Sequence, residues 1–308
     1  MVEPASPPRR FRARFWGDPS ARWPALVLGA VCVAAVLGPV VWGQSATVQG
    51  NLITMQNRPP SLAHPFGTDQ ASRDVLARVL VGARVSLSVA ALSVLISATI
   101  GTLYGLVAGY TGGALDAALM RLIDALLSIP RVLLLLAVLA LWYPVPLAGL
   151  ILLLGMTGWF GVSRLVRAEV RAARGRDYVA AARSLGASHT RIMLRHLLPN
   201  VLAPVIVAAT LGVGNVIVLE AGLSYLGIGV QEPLPSWGSI FLDGSSTMAT
   251  AWWVALFPGL AIVVTVLAFN VLGDSLRDLL DPRQVDREAA PAIDERRPRR
   301  VHGPRARA

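Results

Sequence analysis

Residues 87–108 read LSVAALSVLISATIGTLYGLVA, a run of 22 residues without a charged side chain. A helix needs about 20 mostly apolar residues to cross the hydrocarbon core of a bilayer, so this run is long enough to span it. Comparable apolar runs lie at residues 25–42, 125–141, 147–160, 201–221 and 252–272. The sequence therefore predicts an all-α integral membrane protein with six transmembrane helices.

Composition excludes several classes of protein. Of the 308 residues, 54% are hydrophobic and only 15% are charged, with a mean hydropathy of +0.58, whereas soluble domains carry about 25% charged residues. All 28 basic residues are arginine, which excludes a Walker A loop because that loop needs a lysine against the nucleotide phosphates. The single Cys32 excludes a disulfide framework, and the four histidines are scattered along the chain. No catalytic, cofactor or metal site is expected in this chain.

The distribution of arginine predicts the orientation. With six spans, 23 of the 28 arginines fall on one side: in the N-terminal tail, in residues 109–124 and 161–200, and in the C-terminal tail. Since positive residues concentrate in cytoplasmic loops, both termini are predicted to be cytoplasmic. No cleavage site follows the first apolar run, so it is interpreted as an uncleaved anchor. Trp237, Trp252 and Trp253 fit an aromatic belt at the outer face.

These features divide the chain into five segments, with the C-terminal one rich in Arg, Pro and Ala and predicted to lack fixed structure. They are a basic cytoplasmic tail (1–24), an anchor helix (25–42), an external loop (43–84), a five-helix core (85–275) containing a cytoplasmic loop (161–200), and a cytoplasmic tail (276–308).

Three glycines of the second span, Gly101, Gly105 and Gly109, recur every four residues on one helix face. Small residues at this spacing let two helix backbones approach closely in a membrane. The pattern predicts a helix-packing face, which serves either a subunit or gate interface or the internal packing of the chain.

Charged residues within or near the spans are candidates for function, because they are costly in a membrane. Asp124 and Arg131 are seven residues apart and are predicted to share a helix face, either as a proton relay or with Asp124 paired to Arg121. Glu220, near the outer end of the fifth span, and Asn215 on the same helix are candidates for lining a path or gate.

The loop at residues 161–200 predicts a compact knob of two short helices. Asp177 is expected to cap the first helix, which the alanines at 180–182 favour and which Gly186 ends in a left-handed conformation. Ser188 is expected to cap the second helix, with Pro199 near its end. A knob with a small-residue face suits a partner's groove; a solvated amphipathic linker is the alternative.

The loop resembles the cytoplasmic motif of ABC importer permeases of the binding-protein-dependent class, with Ala181, Ala182, Gly186, Leu198 and Pro199 at the matching positions. One departure is Ala180, where the family's motif opens with Glu. The wider chain is similar to the second permease subunit of the dipeptide/oligopeptide/nickel branch. The supporting stretches are HPFGTD (64–69) with Arg73 and Asp74, GARVSL (82–87), GW (158–159), RHLLPN (195–200), LSYLG (223–227), PSWG (235–238), FPG (257–259), NVLGD (270–274) and DPR (281–283).

The resemblance implies the type I ABC importer permease fold and a non-catalytic subunit in a bacterial cell membrane. It implies a heterodimer with a homologous second permease, two partner subunits that bind and hydrolyse ATP with Mg²⁺, and an extracytoplasmic substrate-binding protein. The expected cargo is peptide, with nickel or glutathione as alternatives. The implied ATPase-coupling residues are Asp177, Tyr178, Ala180, Ala181, Ala182, Arg183, Leu185, Gly186, Leu198 and Pro199.

Two alternatives come from other classes. One is a secondary transporter driven by an ion gradient, which often shows inverted repeats; none is visible in the sequence. The other is a non-transporting membrane scaffold. The basic cluster at residues 296–300 is explained by attraction to anionic lipid, so no nucleic-acid partner is expected.

Overall fold

The computed structural model of the protein describes residues 14–43 and 45–280, and their secondary structure is helical apart from one β-bridge between Thr68 and Asp74. Residues 1–13 of the predicted basic tail and 281–308 of the predicted C-terminal tail lie outside the described residues. The main helices are α1 (Pro19–Trp42), α2 (Val75–Thr111), α3 (Gly113–Leu127), α4 (Arg131–Leu141), α5 (Leu147–Met156), α6 (Trp159–Arg174), α7 (Asp177–Ser184), α8 (Leu198–Tyr225), α9 (Trp237–Ser245) and α10 (Trp253–Leu280).

Five helical segments of the described chain are long and apolar enough to cross a membrane, and a sixth is counted if α3 and α4 form one bent span. The five are α1, α2, α5 together with α6, the segment His189–Tyr225 that ends in α8, and α10. The prediction of an all-α membrane protein is therefore confirmed, with five candidate spans and a sixth that is bent between α3 and α4.

The break between α3 and α4 corrects the prediction of a straight third span. The two helices meet at 71°, and Pro130 stands at the junction in an extended conformation with ψ 122°. Because proline lacks an amide hydrogen and disfavours the helical conformation of the residue before it, the helix stops there. Asp124 and Arg131 consequently do not share one helix face, and most of the loop predicted at 109–124 is helical.

Helix α2 begins earlier than predicted, so the boundary at 84/85 between external loop and core falls inside a helix. Its 37 residues extend about 55 Å, well beyond the roughly 30 Å hydrocarbon core. The side chain of Asp74 caps its first turn by accepting a hydrogen bond from Ala77 N at 2.7 Å. Likewise α1 begins at Pro19, where Asp18 accepts from Ser20 N at 2.9 Å.

Helix α2 is central, packing against α1, α5, α6 and α8, while α10 packs against α1, α8 and α9. The start of α2 meets the start of α9, where Trp237 Nε1 donates to Val79 O at 3.1 Å. Its other end meets the loop after α7, where Tyr110 OH lies 2.6 Å from His189 Nδ1. We call the end of the molecule at the start of α2 the distal end. We call the opposite end, which carries the arginines of α6 to α8, the basic end.

Helix α1 is attached to the core through its own backbone. Each of its two internal prolines lacks the amide hydrogen that would bond the carbonyl four residues earlier. Ser275 of α10 donates its hydroxyl to the first of these carbonyls, Ser20 O, at 2.8 Å. Arg84 Nε of α2 donates to the second, Ala35 O, at 3.2 Å. Two carbonyls that proline leaves unpaired thus bind α1 to two core helices.

Candidate functional site

The knob at the basic end consists of α7 and the segment that follows it up to Arg191. It is anchored by one buried side chain of α7. Val179 is fully buried in a hydrophobic cluster with Leu106 of α2, Val170 of α6 and Ile192. Since these neighbours come from three different segments, the orientation of α7 is set by the packing of the core. The short helix is therefore a fixed feature of the basic end.

The turn after α7 has the geometry that the sequence predicts. Gly186 has φ +76°, its N–H donates to Arg183 O at 3.0 Å, and Ala187 N donates to Ala182 O at 3.1 Å. This pair of bonds is a Schellman motif, which requires a left-handed residue and therefore favours glycine. The predicted cap is wrong: Arg176 is the N-cap, and Asp177 is the first helical residue without a capping bond.

The outer face of α7 is exposed and largely apolar. Tyr178, Ala181 and Leu185 share one face of the helix at spacings of three and four residues, and all three are exposed, Leu185 to 88%. Ala180 and Arg183 are exposed beside them, and Ala182 is partly buried. An isolated exposed leucine is ordinary, but an apolar face on a helix anchored from behind is typical of a docking surface.

The segment after Gly186 corrects the prediction of a short second helix that ends near Pro199. Ser188 does cap it, since its hydroxyl accepts from Arg191 N at 3.4 Å. The helix then continues through a π-helical turn, Ile192–Leu197, directly into α8. Pro199 directly follows the π turn in the first turn of α8, so the helix does not end at this proline. Leu198 and Pro199 thus join the knob to a transmembrane helix without a flexible joint.

Two hydrogen bonds tie the knob to the spans, and neither has a signal in the sequence. Tyr110 OH at the end of α2 bonds His189 Nδ1 at 2.6 Å. Asn200 Nδ2 of α8 donates to Tyr178 OH at 3.1 Å. A displacement of the knob therefore acts on both α2 and α8.

Ion pairs hold α3 against α6 at the basic end. Arg167 forms a two-pronged pair with Asp116, with Nε–Oδ1 at 2.5 Å and Nη2–Oδ2 at 2.7 Å. Asp124 pairs with Arg164, so its predicted pairing with Arg121 is wrong. The sequence indicated Arg121 because it is one helical turn away, whereas the true partner lies on another helix.

The three glycines of α2 lie against α6. A Cβ at Gly101 would be 2.7 Å from Val162 Cβ and 2.8 Å from Trp159 O, and one at Gly109 would be 2.8 Å from Arg167 O. These distances are far inside ordinary van der Waals separation. Of the two alternatives, the structure places Gly101, Gly105 and Gly109 in internal packing between α2 and α6.

Glu220 is fully buried and does not face an open path in this conformation. Ser86 of α2 donates to its Oε2 at 3.0 Å, and Ser224 donates to its Oε1 at 2.6 Å. Ser236, at the start of α9, reaches the Ser224 hydroxyl at 3.3 Å. Glu220 thus joins α8 to α2 and α9, while Asn215 on the same helix is exposed.

Arg131, at the start of α4, connects α4 to the end of α5. Its Nη2 donates to Leu154 O at 2.8 Å and its Nε donates to Thr157 Oγ1 at 3.2 Å, both at the end of α5. The last carbonyls of a helix carry partial negative charge and favour a cation. The charge is therefore satisfied by a helix terminus, without a carboxylate partner in the described contacts.

A cleft of about 760 Å³ opens beside the knob, between α6, α8 and α10. Its wall is largely apolar and includes Pro204 and Leu211, while Glu169, Arg176 and Arg277 stand at its charged rim. Among the described residues, no group of three or more His, Cys, Asp or Glu side chains is placed to hold a metal ion.

The distal end carries a network of ion pairs that sequence reasoning missed. Arg73 bonds Asp69 through Nε at 2.7 Å, Glu232 through Nη1 at 2.9 Å and Asp243 through Nη2 at 3.1 Å. Arg78 bonds Asp69 at 2.5 Å and Asp243 at 2.8 Å. Burial lowers the pKa of Arg73, but the three carboxylates outweigh it and raise the pKa above its usual value.

The predicted aromatic belt is wrong for two of its three tryptophans. Trp237 and Trp253 are buried, and Trp253 Nε1 donates to Thr68 O at 3.1 Å. Only Trp252 is exposed. The indole N–H of Trp253 instead holds the segment before α2, and that of Trp237 joins the start of α9 to α2.

Comparisons with known proteins agree with this architecture. A family described as "Binding-protein-dependent transport system inner membrane component" matches residues 101–286. The chain is 43% identical to the dipeptide transport system permease protein DppC of Bacillus subtilis over 252 residues, covering 82% of this chain and 78% of that protein. It is 35% identical to the oligopeptide transport system permease protein OppC of Bacillus subtilis over 272 residues, covering 88% of each.

A third relative is the glutathione transport system permease protein GsiD of Pectobacterium atrosepticum, which is 41% identical over 227 residues, covering 74% of this chain and 75% of that protein. Among solved structures, an inward-facing MetNI methionine ABC transporter superposes with a TM-score of 0.53 at 20% identity, covering 67% of this chain and 97% of that chain. This likeness confirms the predicted permease fold.

Proposed function

The chain belongs to the family of binding-protein-dependent transport system inner membrane components, and from this we propose that it is the permease subunit of an ATP-driven importer of peptides. In this proposal the chain forms part of the translocation path, and a substrate-binding protein delivers the cargo. Relatives named for dipeptide and oligopeptide transport support the choice of peptide.

The observation that carries the mechanism is the exposed knob joined rigidly to α8. In the proposed cycle, a partner ATPase receives the face formed by Tyr178, Ala181 and Leu185. ATP-driven closure of the partners displaces the knob, and α8 and α2 move with it because the π turn and Tyr110 connect them. Such transmission needs a two-state element with firm contacts at both ends. Ala180 leaves a neutral contact where the family's motif carries Glu.

The assembly we propose contains a homologous second permease, two ATP-binding subunits and an external binding protein. ATP and Mg²⁺ are bound by the partners, and this chain carries no cofactor. The basic end and both termini face the cytoplasm of a bacterial cell, supported by the arginines of residues 164–195. The largely apolar cleft beside the knob gives a second subunit a surface to cover.

Glutathione is the second candidate cargo, because one relative with 41% identity is named for glutathione transport. Glutathione and short peptides share amide groups and free carboxylates, so one permease path suits both. Uptake of each by the same reconstituted complex, in competition, separates the two candidates.

The proposal is tested with the complex purified through this chain and reconstituted in liposomes with its binding protein. We expect a homologous permease and ATP-binding subunits to copurify, and peptide uptake to require ATP. The variant Leu185→Asp places a charge on the docking face and should lose the ATPase subunits while the chain still inserts. Leu62→Asp, an equally exposed site at the distal end, is the control and should retain them.

Uptake by the chain alone, driven by an ion gradient without ATP, would contradict the proposal in favour of a secondary transporter. Equal recovery of the ATPase subunits with Leu185→Asp and Leu62→Asp would remove the knob from the mechanism. A complex that transports glutathione but no peptide would shift the cargo.

A further inference from the structure

The distal ion-pair network contains one carboxylate that is held much more loosely than the others. Asp69 is fully buried and Asp243 is three-quarters buried, whereas the side chain of Glu232 is 80% exposed and bonds only Arg73. Two guanidinium groups facing Asp69 and Asp243 already balance in charge. Glu232 therefore adds a third carboxylate to a network whose other four charges already cancel.

Arg73 is itself fixed in place. Only 12% of its side chain is exposed, and Asp69, which accepts from Ala71 N at 2.9 Å and Arg73 N at 2.8 Å, holds the turn that presents it. Its Nη1 points outward to Glu232. An exposed ion pair contributes little to stability because water solvates both partners. Glu232 can consequently be displaced at small cost, leaving an oriented donor.

A cavity of about 170 Å³ lies at this position, lined by Arg73, Arg78, Gln231, Glu232 and Ser239, among others. It has room for several water molecules. Arg78 is buried and its Nε has no hydrogen-bond partner. A buried donor without a partner is rare in a native structure. That nitrogen has no accessible surface, so the donor that the cavity offers to a partner is the guanidinium of Arg73.

We propose that Arg73 and Arg78 form a carboxylate-binding site at the distal end, which Glu232 occupies in the isolated chain. An acidic side chain of the docking substrate-binding protein replaces Glu232 on Arg73. The geometry of the fixed guanidinium supports this occupant, since a planar guanidinium recognises a carboxylate with directed, charge-assisted bonds and a partner's carboxylate replaces Glu232 like for like. The inference rests on the proposed function, which places the binding protein at this end.

The test measures the affinity of fluorescently labelled, peptide-free binding protein for the complete transporter in nanodiscs, without ATP and at low salt. Glu232→Gln removes the internal competitor from an exposed position, so the fold is preserved. We expect binding to tighten about two- to fivefold, the range that exposed ion pairs allow. Asp278→Asn makes the same change in charge at the basic end, where Asp278 is exposed, and should leave the affinity unchanged.

Unchanged or weaker binding with Glu232→Gln overturns the inference, and weaker binding would mean that Glu232 itself contacts the partner. A gain in affinity that appears only with peptide-loaded binding protein, and is lost when the peptide is amidated at its C-terminus, assigns the site to the carboxylate of the peptide. That result would overturn the proposal that an acidic side chain of the binding protein occupies it. ATP-driven uptake by the wild-type complex is measured in parallel. If uptake is normal and Glu232→Gln has no effect, only the inference fails; if wild type neither binds nor transports, the proposed function fails and the inference falls with it.

Discussion

Replacing Gly105 by alanine tests the close contact between α2 and α6. The new Cβ would meet Ser163 O and lie 2.8 Å from Val166 Cβ and 3.0 Å from Arg167 N on α6. Two of these three atoms belong to the backbone, so they cannot rotate away and the helices must separate. Overpacking costs about 1–3 kcal/mol, while the higher helix propensity of alanine returns about 1 kcal/mol. Because the backbone atoms cannot move aside, we take the cost at the upper end of this range. After the gain in helix propensity, we expect the free energy of unfolding to fall by about 2 kcal/mol.

The assay is reversible unfolding of the isolated chain by sodium dodecyl sulfate in mixed micelles, followed by circular dichroism. Gly161→Ala is the control on α6, since its Cβ would meet nothing within 4 Å and only the propensity term applies. Its stability should be unchanged or slightly higher. Equal stability of Gly105→Ala and Gly161→Ala would refute the close approach of α2 and α6. A loss that appears only in the presence of the second permease would return the glycines to a subunit interface.

Three further substitutions test the knob, the buried carboxyl and the attachment of α1. Gly186→Val forces a β-branched residue to φ +76° at a cost of roughly 1–2 kcal/mol, so ATP-driven vesicle uptake should be abolished with insertion intact; Gly175→Val, at φ −85°, should retain uptake. Glu220→Gln weakens the acceptor for two serine hydroxyls and should lower stability by about 1–3 kcal/mol; an altered uptake rate at unchanged stability would instead place Glu220 in the path. Ser275→Ala leaves the carbonyl of Ser20 without its donor and should increase proteolysis at the start of α1; unchanged cleavage would contradict this attachment.

The length of α2 shows what hydropathy can and cannot predict. The apolar run at 87–108 predicts the membrane-crossing part correctly because lipid selects uninterrupted apolar residues. The first turns of α2 contain Arg78 and Arg84, which interrupt the run and look like loop. Both arginines have partners inside the chain: Arg78 bonds Asp69, and Arg84 bonds carbonyls of α1. A capping residue, Asp74, was the available signal for the true start.

The knob shows a similar division. The left-handed turn at Gly186 is local chemistry, and its sequence signature is sufficient to predict it. The role of Pro199 depends on whether the helix before it stops or continues past it through a π turn, and sequence spacing does not distinguish these. The bond between Tyr110 and His189 joins positions 79 residues apart, so only the folded chain brings them together. The same is true of Arg73 and Glu232, which are separated by 159 residues.

Helix α8 connects the two sites that we propose. Its first residues continue from the knob through the π turn, and its last turns hold Glu220 and Ser224, whose hydroxyl accepts from Val230 N at 3.0 Å. Val230 lies two residues before Glu232, so the distal carboxylate is attached to the far end of the helix that the knob moves. By thermodynamic linkage, any change in docking affinity caused by the ATPase partners requires an equal effect of docking on their binding. Affinity of the binding protein should therefore differ with and without ATP, and Glu232→Gln should reduce that difference if release of Glu232 is the step that α8 controls.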